Sequence, residues 1–186
     1  IRNYCRVDSF DESGMNACHV AAQKGHSEIM DFLLKHGAFV DTRTALGFTP
    51  LHFASQSGCE NCTYVLIDNF GASVDAKTVN CVTPMHLAAE SGQHVVCKIL
   101  LRNNASPICI DRKGRSPLHF AAKHNHTMIL KCFKKHCYNA LSYEQFDKDG
   151  FTCAHVAAMN GSVAFIKELL KINPEMVVPV LTDNEK

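Results

Sequence analysis

The stretch Gly47-Phe48-Thr49-Pro50-Leu51-His52-Phe53-Ala54-Ser55 decides the fold of this chain, because variants of it return at a nearly constant spacing. Its histidine recurs every 33 to 36 residues, at His19, His52, His86, His119 and His155. A sequence motif that recurs with this period is typical of a protein built from stacked copies of one small structural unit.

Each copy of the motif marks the start of a short helix. A side-chain oxygen stands three residues before each of the last four histidines, at Thr49, Thr83, Ser116 and Thr152. Such oxygens cap helix N-termini, and a proline in the next position, as at Pro50, forfeits no helical hydrogen bond. Glycine or asparagine follows about six residues after the histidine, as at Gly58 and Asn125, and favours the left-handed turn that ends a helix.

A second helix follows each turn, with apolar residues at helical spacing such as Ile29, Phe32 and Leu33. Helices this short are marginal in water on their own, so neighbouring units must cover their apolar faces. Paired small residues such as Ala88-Ala89 let adjacent backbones approach closely. The sequence therefore predicts an all-α repeat solenoid of about five stacked units.

The recurring motif resembles the signature of ankyrin repeats, and the resemblance extends from about residue 12 to residue 172. It implies β-hairpin loops between units, with one inner and one outer helix in each. We expect a single array over residues 1–186, with termini excised from a longer array and repeats at about 12–44, 45–78, 79–111, 112–147 and 148–178. We assign one extra residue to a connection at 68–71 and three more to a connection around 138–145.

The recurring histidines are predicted to be structural. Units stacked about 10 Å apart hold consecutive imidazoles too far apart to share one metal ion, whose bonds to nitrogen are near 2 Å. The ankyrin resemblance implies that each imidazole bonds the preceding hydroxyl and a backbone group of the adjacent unit, and we expect these rings to be neutral near pH 7. The predicted framework residues are His19, Thr49, His52, Thr83, His86, Ser116, His119, Thr152 and His155.

Composition narrows the function. The formal charge is +1 and charged residues are spread along the units, which argues against a dedicated nucleic-acid or polyanion surface. No apolar run is long enough to cross a bilayer, and no motif of a known enzyme, metal site or cofactor site is present. A small group of cations, Lys131, Lys134, Lys135 and His136, is interpreted as the favourable end of an outer helix.

Ten cysteines fall mostly on apolar positions, which indicates small buried hydrophobes in a reducing, cytoplasmic compartment. Cys59 and Cys62 form one isolated Cys-x-x-Cys pair. Without a second pair it favours the start of an outer helix over a zinc site, and modification of Cys59 stays an open alternative.

We predict protein binding by the exposed positions that vary between units. One strip lies at the loop tips, at Arg43, Lys77, Arg112, Lys113, Arg115 and Lys148. The other lies at the ends of the inner helices, at Gln23, Lys24, Gln56, Glu90, Lys123, His124 and Met159.

The segment from Asp149 to Val163, with Thr152-Cys153-Ala154-His155, also resembles part of the cytosolic ankyrin array of TRPN (NOMPC-type) mechanosensory channels. That resemblance implies an elastic element of a homotetrameric cation channel, with microtubules or neighbouring ankyrin repeats as partners. The competing prediction is a stand-alone adaptor that binds a soluble protein or peptide, and an enzyme-linked regulatory array comes third.

Overall fold

The computed structural model describes residues 9–136 and 143–172, and all regular structure in those ranges is helical. The helices form successive pairs, each with an inner helix followed by an outer helix. The inner helices are α1 (Ala17–Lys24), α3 (Pro50–Ser57), α5 (Pro84–Glu90), α7 (Pro117–Lys123) and α9 (Cys153–Met159). The outer helices are α2 (Ser27–Lys35), α4 (Glu60–Tyr64), α6 (His94–Arg102), α8 (Thr127–His136) and α10 (Val163–Ile172). The predicted all-α repeat solenoid is confirmed.

The inner helices begin and end where the sequence predicts. Thr49, Thr83, Ser116 and Thr152 occupy the N-cap position in extended backbone, and Asn16 takes this role in the first unit. At the other end, Gly25 and Gly58 cap α1 and α3 in the left-handed conformation. The chain then turns directly into the outer helix.

Two rows of helices make up the stack. Each inner helix packs against the inner helix of the next unit, and outer helices pack in the same order. Ala54, Ala88 and Ala121 are fully buried between inner helices, where their small side chains permit close approach. One apolar core therefore runs through the units, and each unit depends on its neighbours for burial.

The first outer helix buries a different face from the one we predicted. Met30 and Leu34 are buried, and Leu33 packs partly against the core, but Ile29 and Phe32 are 54% and 60% exposed. In α6 the corresponding positions hold the buried Val96 and Ile99, because α4 lies beside them. Within the described residues no outer helix precedes α2, so the same positions stay uncovered there.

The extra residue of the second unit lies within its outer helix, which corrects its assignment to a connection. After α4 the chain continues as a π-helix over Val65–Asn69. A π-turn accommodates one additional residue inside a helix without shifting the residues that follow. Leu66 and Ile67 stay buried, while Asp68 and Asn69 face solvent.

The loops between units are reverse turns, and no strand occurs in the described residues, although the resemblance implied β-hairpins. In one loop Gly47 donates its N–H to Thr44 O at 2.8 Å and Thr44 donates to Phe48 O at 2.9 Å. Neighbouring loops are joined by a backbone bond, as from Val79 N–H to Leu46 O at 2.9 Å. The loops therefore form a ladder along one edge of the stack.

The three-residue irregularity predicted around 138–145 lies largely outside the described residues, and the exact repeat boundaries remain predictions. Among the described residues, none of the helices is long and apolar enough to cross a membrane.

Candidate protein-interaction surface

The recurring histidines join each unit to the next. In the second unit Thr49 donates its backbone N–H to His52 Nδ1 at 3.1 Å, and the Thr49 hydroxyl lies 2.9 Å from the same atom. Nδ1 therefore accepts, and the opposite ring atom, Nε2, carries the proton that it donates to Val82 O at 3.1 Å. Val82 belongs to the loop that begins the third unit.

The same arrangement recurs along the stack. His86 Nε2 lies 3.0 Å from Arg115 O, and His119 Nε2 lies 3.0 Å from Phe151 O. In the first unit, where Asn16 replaces the usual threonine, His19 Nε2 reaches Phe48 O at 3.1 Å. Each of these four imidazoles thus caps its own helix and fixes the position of the following loop.

Burial keeps these imidazoles neutral. The pKa of His52 and that of His86 are each lowered from 6.5 to about 4, mainly because burial disfavours the charged ring. Burial also lowers the pKa of His19 and of His119. If Nδ1 were also protonated, its proton would point at the backbone N–H group from which Nδ1 now accepts a hydrogen bond.

His155 makes only half of these contacts. Its Nδ1 lies 2.9 Å from Thr152 Oγ1, but its ring is exposed, and no loop carbonyl contacts Nε2 within the described chain. The last described unit therefore has the helix cap without the link to a following unit.

In the predicted strip at the inner-helix ends, the same position of each repeat lies at the surface. That position, four residues after each histidine, is occupied in turn by Gln23, Gln56, Glu90, Lys123 and Met159. All are exposed except Glu90, which is half-buried, and Met159 is 69% exposed. Beside them Lys24 is exposed, and His124 Nε2 lies 3.9 Å from Glu90 Oε1.

The loop-tip strip carries exposed cations on the backbone ladder. Arg43, Lys77, Arg112, Lys113 and Lys148 are all exposed. Three take part in the ladder through their backbone, since Arg112 donates its N–H to Asn80 O at 2.8 Å and Lys148 donates its N–H to Lys113 O at 2.9 Å. The Arg43 guanidinium donates to Lys77 O at 2.8 Å, so its side chain also connects two loops.

Arg115 differs from the other loop cations. Its Nε and Nη2 donate to Asp111 Oδ2 at 2.9 and 2.6 Å, and its guanidinium lies 4.5 Å from the centre of the Phe120 ring. The Asp111 side chain is only 2% exposed, so the buried carboxylate needs this partner. The predicted binding role does not fit a guanidinium that is already committed to holding its own loop.

Sequence reasoning missed two further links between units. His126 Nε2 lies 3.0 Å from Glu90 O, with its ring against Gly92 of the preceding unit. The Asp75 carboxylate accepts the backbone N–H of Ser106 at 3.1 Å, and Asp41 does the same for Ser73. The separations of these pairs are close to one repeat length, which is the signal that could have identified them.

The cysteines of the described residues are free thiols. Cys18, Cys62, Cys97, Cys132 and Cys153 are buried, and burial raises the pKa of Cys153 to about 12. Cys59 caps α4, and its Sγ accepts the Cys62 N–H at 3.2 Å. Across the part of the chain that the structure describes, no group of three or more His, Cys, Asp or Glu residues is arranged to hold a metal ion.

Comparison with known proteins shows the same repeated unit. A family model described as ankyrin repeats (3 copies) matches residues 2–78, 70–140 and 85–179. Human transient receptor potential cation channel subfamily A member 1 is 29% identical over 179 residues, which is 94% of this chain and 16% of the channel. Inversin of Canis lupus familiaris is 33% identical over 171 residues, 88% of this chain and 15% of inversin.

A shorter match joins the chain to protein phosphatase 1 regulatory subunit 12A of Mus musculus, at 41% identity over 58 residues, 31% of this chain and 6% of that subunit. The chain spans less than a fifth of the length of each of these three relatives. The matched segments together extend over nearly all of its residues, and the helix pairs described above repeat along them. The chain belongs to the ankyrin repeat family.

Proposed function

We propose that this chain is a non-catalytic scaffold that binds another protein through the inner-helix ends and the exposed loop tips. One observation carries the proposal. The position four residues after each framework histidine changes from Gln to Glu to Lys to Met between units, while the histidine stays the same and its N-cap residue always carries a side-chain oxygen. A fixed frame that presents variable exposed side chains is suited to recognising a protein surface or an extended peptide.

The physics of the stack favours this role. The loops are tied together by backbone bonds and four of the five framework histidines are buried, so little of the surface must become ordered when a partner binds. The exposed cations of the loop tips alternate with acidic residues such as Glu12 and Asp149. A mixed surface of this kind fits a protein partner better than a nucleic acid.

Within the scaffold class, we infer that the chain is part of the cytosolic ankyrin array of a mechanically gated cation channel. The Thr152-Cys153-Ala154-His155 segment resembles TRPN channels, and similarity to a human transient receptor potential channel extends over 94% of the chain. Helix contacts between consecutive units make such an array compliant along its length, because small rotations at each interface add up. In this proposal the parent is a homotetramer at the plasma membrane, and microtubules or neighbouring repeats are the partners.

The alternative is an adaptor that recruits a soluble protein. The match to a regulatory subunit of protein phosphatase 1 supports it, because that relative is named as a phosphatase subunit and not as a channel. The two proposals use the same surface and differ in the partner.

A surface variant and a matched control test the scaffold proposal. The strip variant combines Gln56→Ala, Glu90→Ala and Lys123→Ala, and the control combines the exposed outer-helix substitutions Lys35→Ala, Glu60→Ala and Lys134→Ala. Both are assayed for microtubule co-sedimentation and for capture of cytosolic proteins, with the dissociation constant of each recovered partner measured afterwards. We expect the strip variant to weaken binding about tenfold, or roughly 1.4 kcal/mol, and the control to bind like the wild type.

The partner separates the two proposals. Strip-dependent binding to microtubules supports the channel array, whereas strip-dependent recovery of one soluble protein supports the adaptor. If both variants bind every partner as the wild type does, the inner-helix ends are not the interaction surface and the scaffold proposal fails.

A further inference from the structure

A basic groove lies between the outer helices α6 and α8, away from the loop tips. It has a volume of about 260 Å³, and Met128 and Cys132 form part of its wall. Its other lining residues are all basic: His94, Lys98, Arg102, Lys131, Lys135 and His136. In the sequence only the α8 cations of this group stand close together, and there they are expected to stabilise the end of that helix.

The helix dipole explains only part of this arrangement. Arg102, Lys135 and His136 lie in the last turns of their helices, where positive charge is favourable. Lys98 and Lys131 lie further from the helix ends and gain little from the dipole. Because the dipole acts within one helix, it also gives no reason for cations of two helices to face the same groove.

The repeat places these cations side by side. Lys98 and Lys131 are 33 residues apart, as are Arg102 and Lys135, so each pair occupies the same position in adjacent units. The same position, twelve residues after the framework histidine, holds Asp31 in the first unit, so a cation is not a general requirement there. Like charges on neighbouring helices repel each other, and the charge of the whole chain is only +1. The groove is therefore a local concentration of positive charge.

Few carboxylates offset this charge. Lys131 Nζ lies 4.0 Å from Glu168 Oε1, but the other carboxylate oxygen of Glu168 is 3.3 Å from Lys171 Nζ. In the described residues no ion pair involves Lys98, Arg102 or Lys135. Three permanent cations of the groove are thus available to an anion from solution.

The lining chemistry selects the kind of anion. Lysine and arginine side chains supply donors only, and they pair well with phosphate oxygens. The only rings of the described chain that line the groove are those of His94 and His136, and it has no carboxylate or amide side chain that could accept a hydrogen bond from a nucleotide base. Its volume of about 260 Å³ is slightly below the roughly 300–1,000 Å³ of small-molecule sites, so the groove can hold only a compact ligand or part of a larger one.

We propose that the groove between α6 and α8 binds a compact anion that carries several phosphate groups and no base, of the inositol polyphosphate type. The headgroup of a multiply phosphorylated inositol lipid has the same chemistry, and the experiment distinguishes these two sources. This site is independent of the protein-binding surface, because it uses outer-helix residues only.

The test is calorimetric titration of the 186-residue chain with inositol hexakisphosphate near physiological salt. The groove variant combines Lys98→Gln, Lys131→Gln and Lys135→Gln. The control variant, Lys77→Gln with Lys113→Gln and Lys148→Gln, removes the same charge from exposed loop tips. We expect the groove variant to lose affinity by about tenfold or more and the control by less than about twofold. Circular dichroism and thermal melting verify that both variants are folded.

Three further titrations identify the source and the specificity. Vesicles that contain phosphatidylinositol bisphosphate are compared with vesicles that contain phosphatidylserine at equal charge, and sodium sulfate is titrated alone. Groove-dependent binding of the soluble phosphate, of the inositol lipid vesicles or of both supports the proposal and names the source. Equal losses in the two variants, binding of sulfate as tight as that of the hexakisphosphate, or no binding of either phosphate probe would overturn it.

Discussion

His86 Nε2 lies 3.0 Å from the carbonyl oxygen of Arg115, a residue 29 positions further along the chain. The other side of the same ring caps the His86 helix, since Thr83 donates its backbone N–H to Nδ1 at 3.1 Å. One neutral imidazole therefore sets the start of its own helix and the position of the next loop. This link between neighbours has consequences for pH dependence, packing and tolerance to change.

Acid is expected to destabilise the fold. The pKa of His52 and that of His86 are about 4 in the folded chain, below the 6.5 of a free imidazole. The unfolded chain therefore binds these protons first, and stability is complete above about pH 6.5 and falls toward pH 4. Each of the two histidines removes about 1.4 kcal/mol per pH unit within that window, which is roughly 3 kcal/mol for one histidine and roughly 7 kcal/mol for the pair. Urea unfolding at several pH values measures the slope.

A double variant provides the control for acid unfolding. His52→Gln with His86→Gln keeps a side chain that can serve a capping box but does not titrate in this range. It should be less stable than the wild type at pH 7.5 and lose less stability on acidification. A wild-type chain whose free energy of unfolding is unchanged between pH 7 and pH 5 contradicts this explanation.

Overpacking should be costly in the middle of the stack and harmless at its exposed end. Ala88 is fully buried between inner helices. In the last described unit, Ala158 holds the repeat position of Ala89, one residue further along than that of Ala88, and it is exposed. Ala88→Leu is expected to lower the free energy of unfolding by about 1–3 kcal/mol, because a larger side chain must separate two helices. Ala158→Leu should stay within about 0.5 kcal/mol of the wild type. Chemical denaturation of both variants tests the assignment, and equal costs would show it to be wrong.

The sequence predicts the recurring helix starts well, but it predicts poorly which side chains of a single unit are buried. Thr49, Thr83 and Ser116 identify helix starts because capping depends on residues close in the chain. The exposure of Phe32 could not be read from the helical pattern of α2, since it depends on whether another outer helix lies beside it. Arg115 looks like a surface cation in the sequence, and only the fold brings it over Phe120 beside the buried Asp111.

Removing one residue from the π-helix should be tolerated. Deletion of the exposed Asp68 restores the 33-residue spacing found between His19 and His52, and we expect the segment to become an ordinary α-helix. Stability should change by less than about 1 kcal/mol, as measured by thermal melting. The matched control deletes Lys98 from α6, which shifts the buried Ile99 and Leu100 out of register and should unfold the unit. If the Asp68 deletion is as damaging as the control, the π-helix is not the site of the insertion.

Glycine and cysteine at one loop position should respond in opposite directions. Gly47 has φ +83°, and a Cβ there would lie 3.2 Å from Thr78 Cα, so Gly47→Ala should cost about 1–3 kcal/mol. Cys81 holds the same place in the following loop with φ +59°. Cys81→Gly relieves that backbone strain and should raise the free energy of unfolding by up to about 1 kcal/mol. Equilibrium unfolding under reducing conditions compares the two, and a loss of stability in Cys81→Gly would contradict the expectation.

The most direct test of the stacked arrangement compares the same histidine in two units. His86 contacts the following loop, whereas His155 lacks such a contact within the described residues. Free energies of unfolding should fall by about 2–4 kcal/mol in His86→Ala, which leaves buried polar groups of two units without a partner, and by about 1 kcal/mol or less in His155→Ala, which loses only a helix cap. Equal losses in the two variants would contradict the account that contacts between neighbouring units hold this protein together.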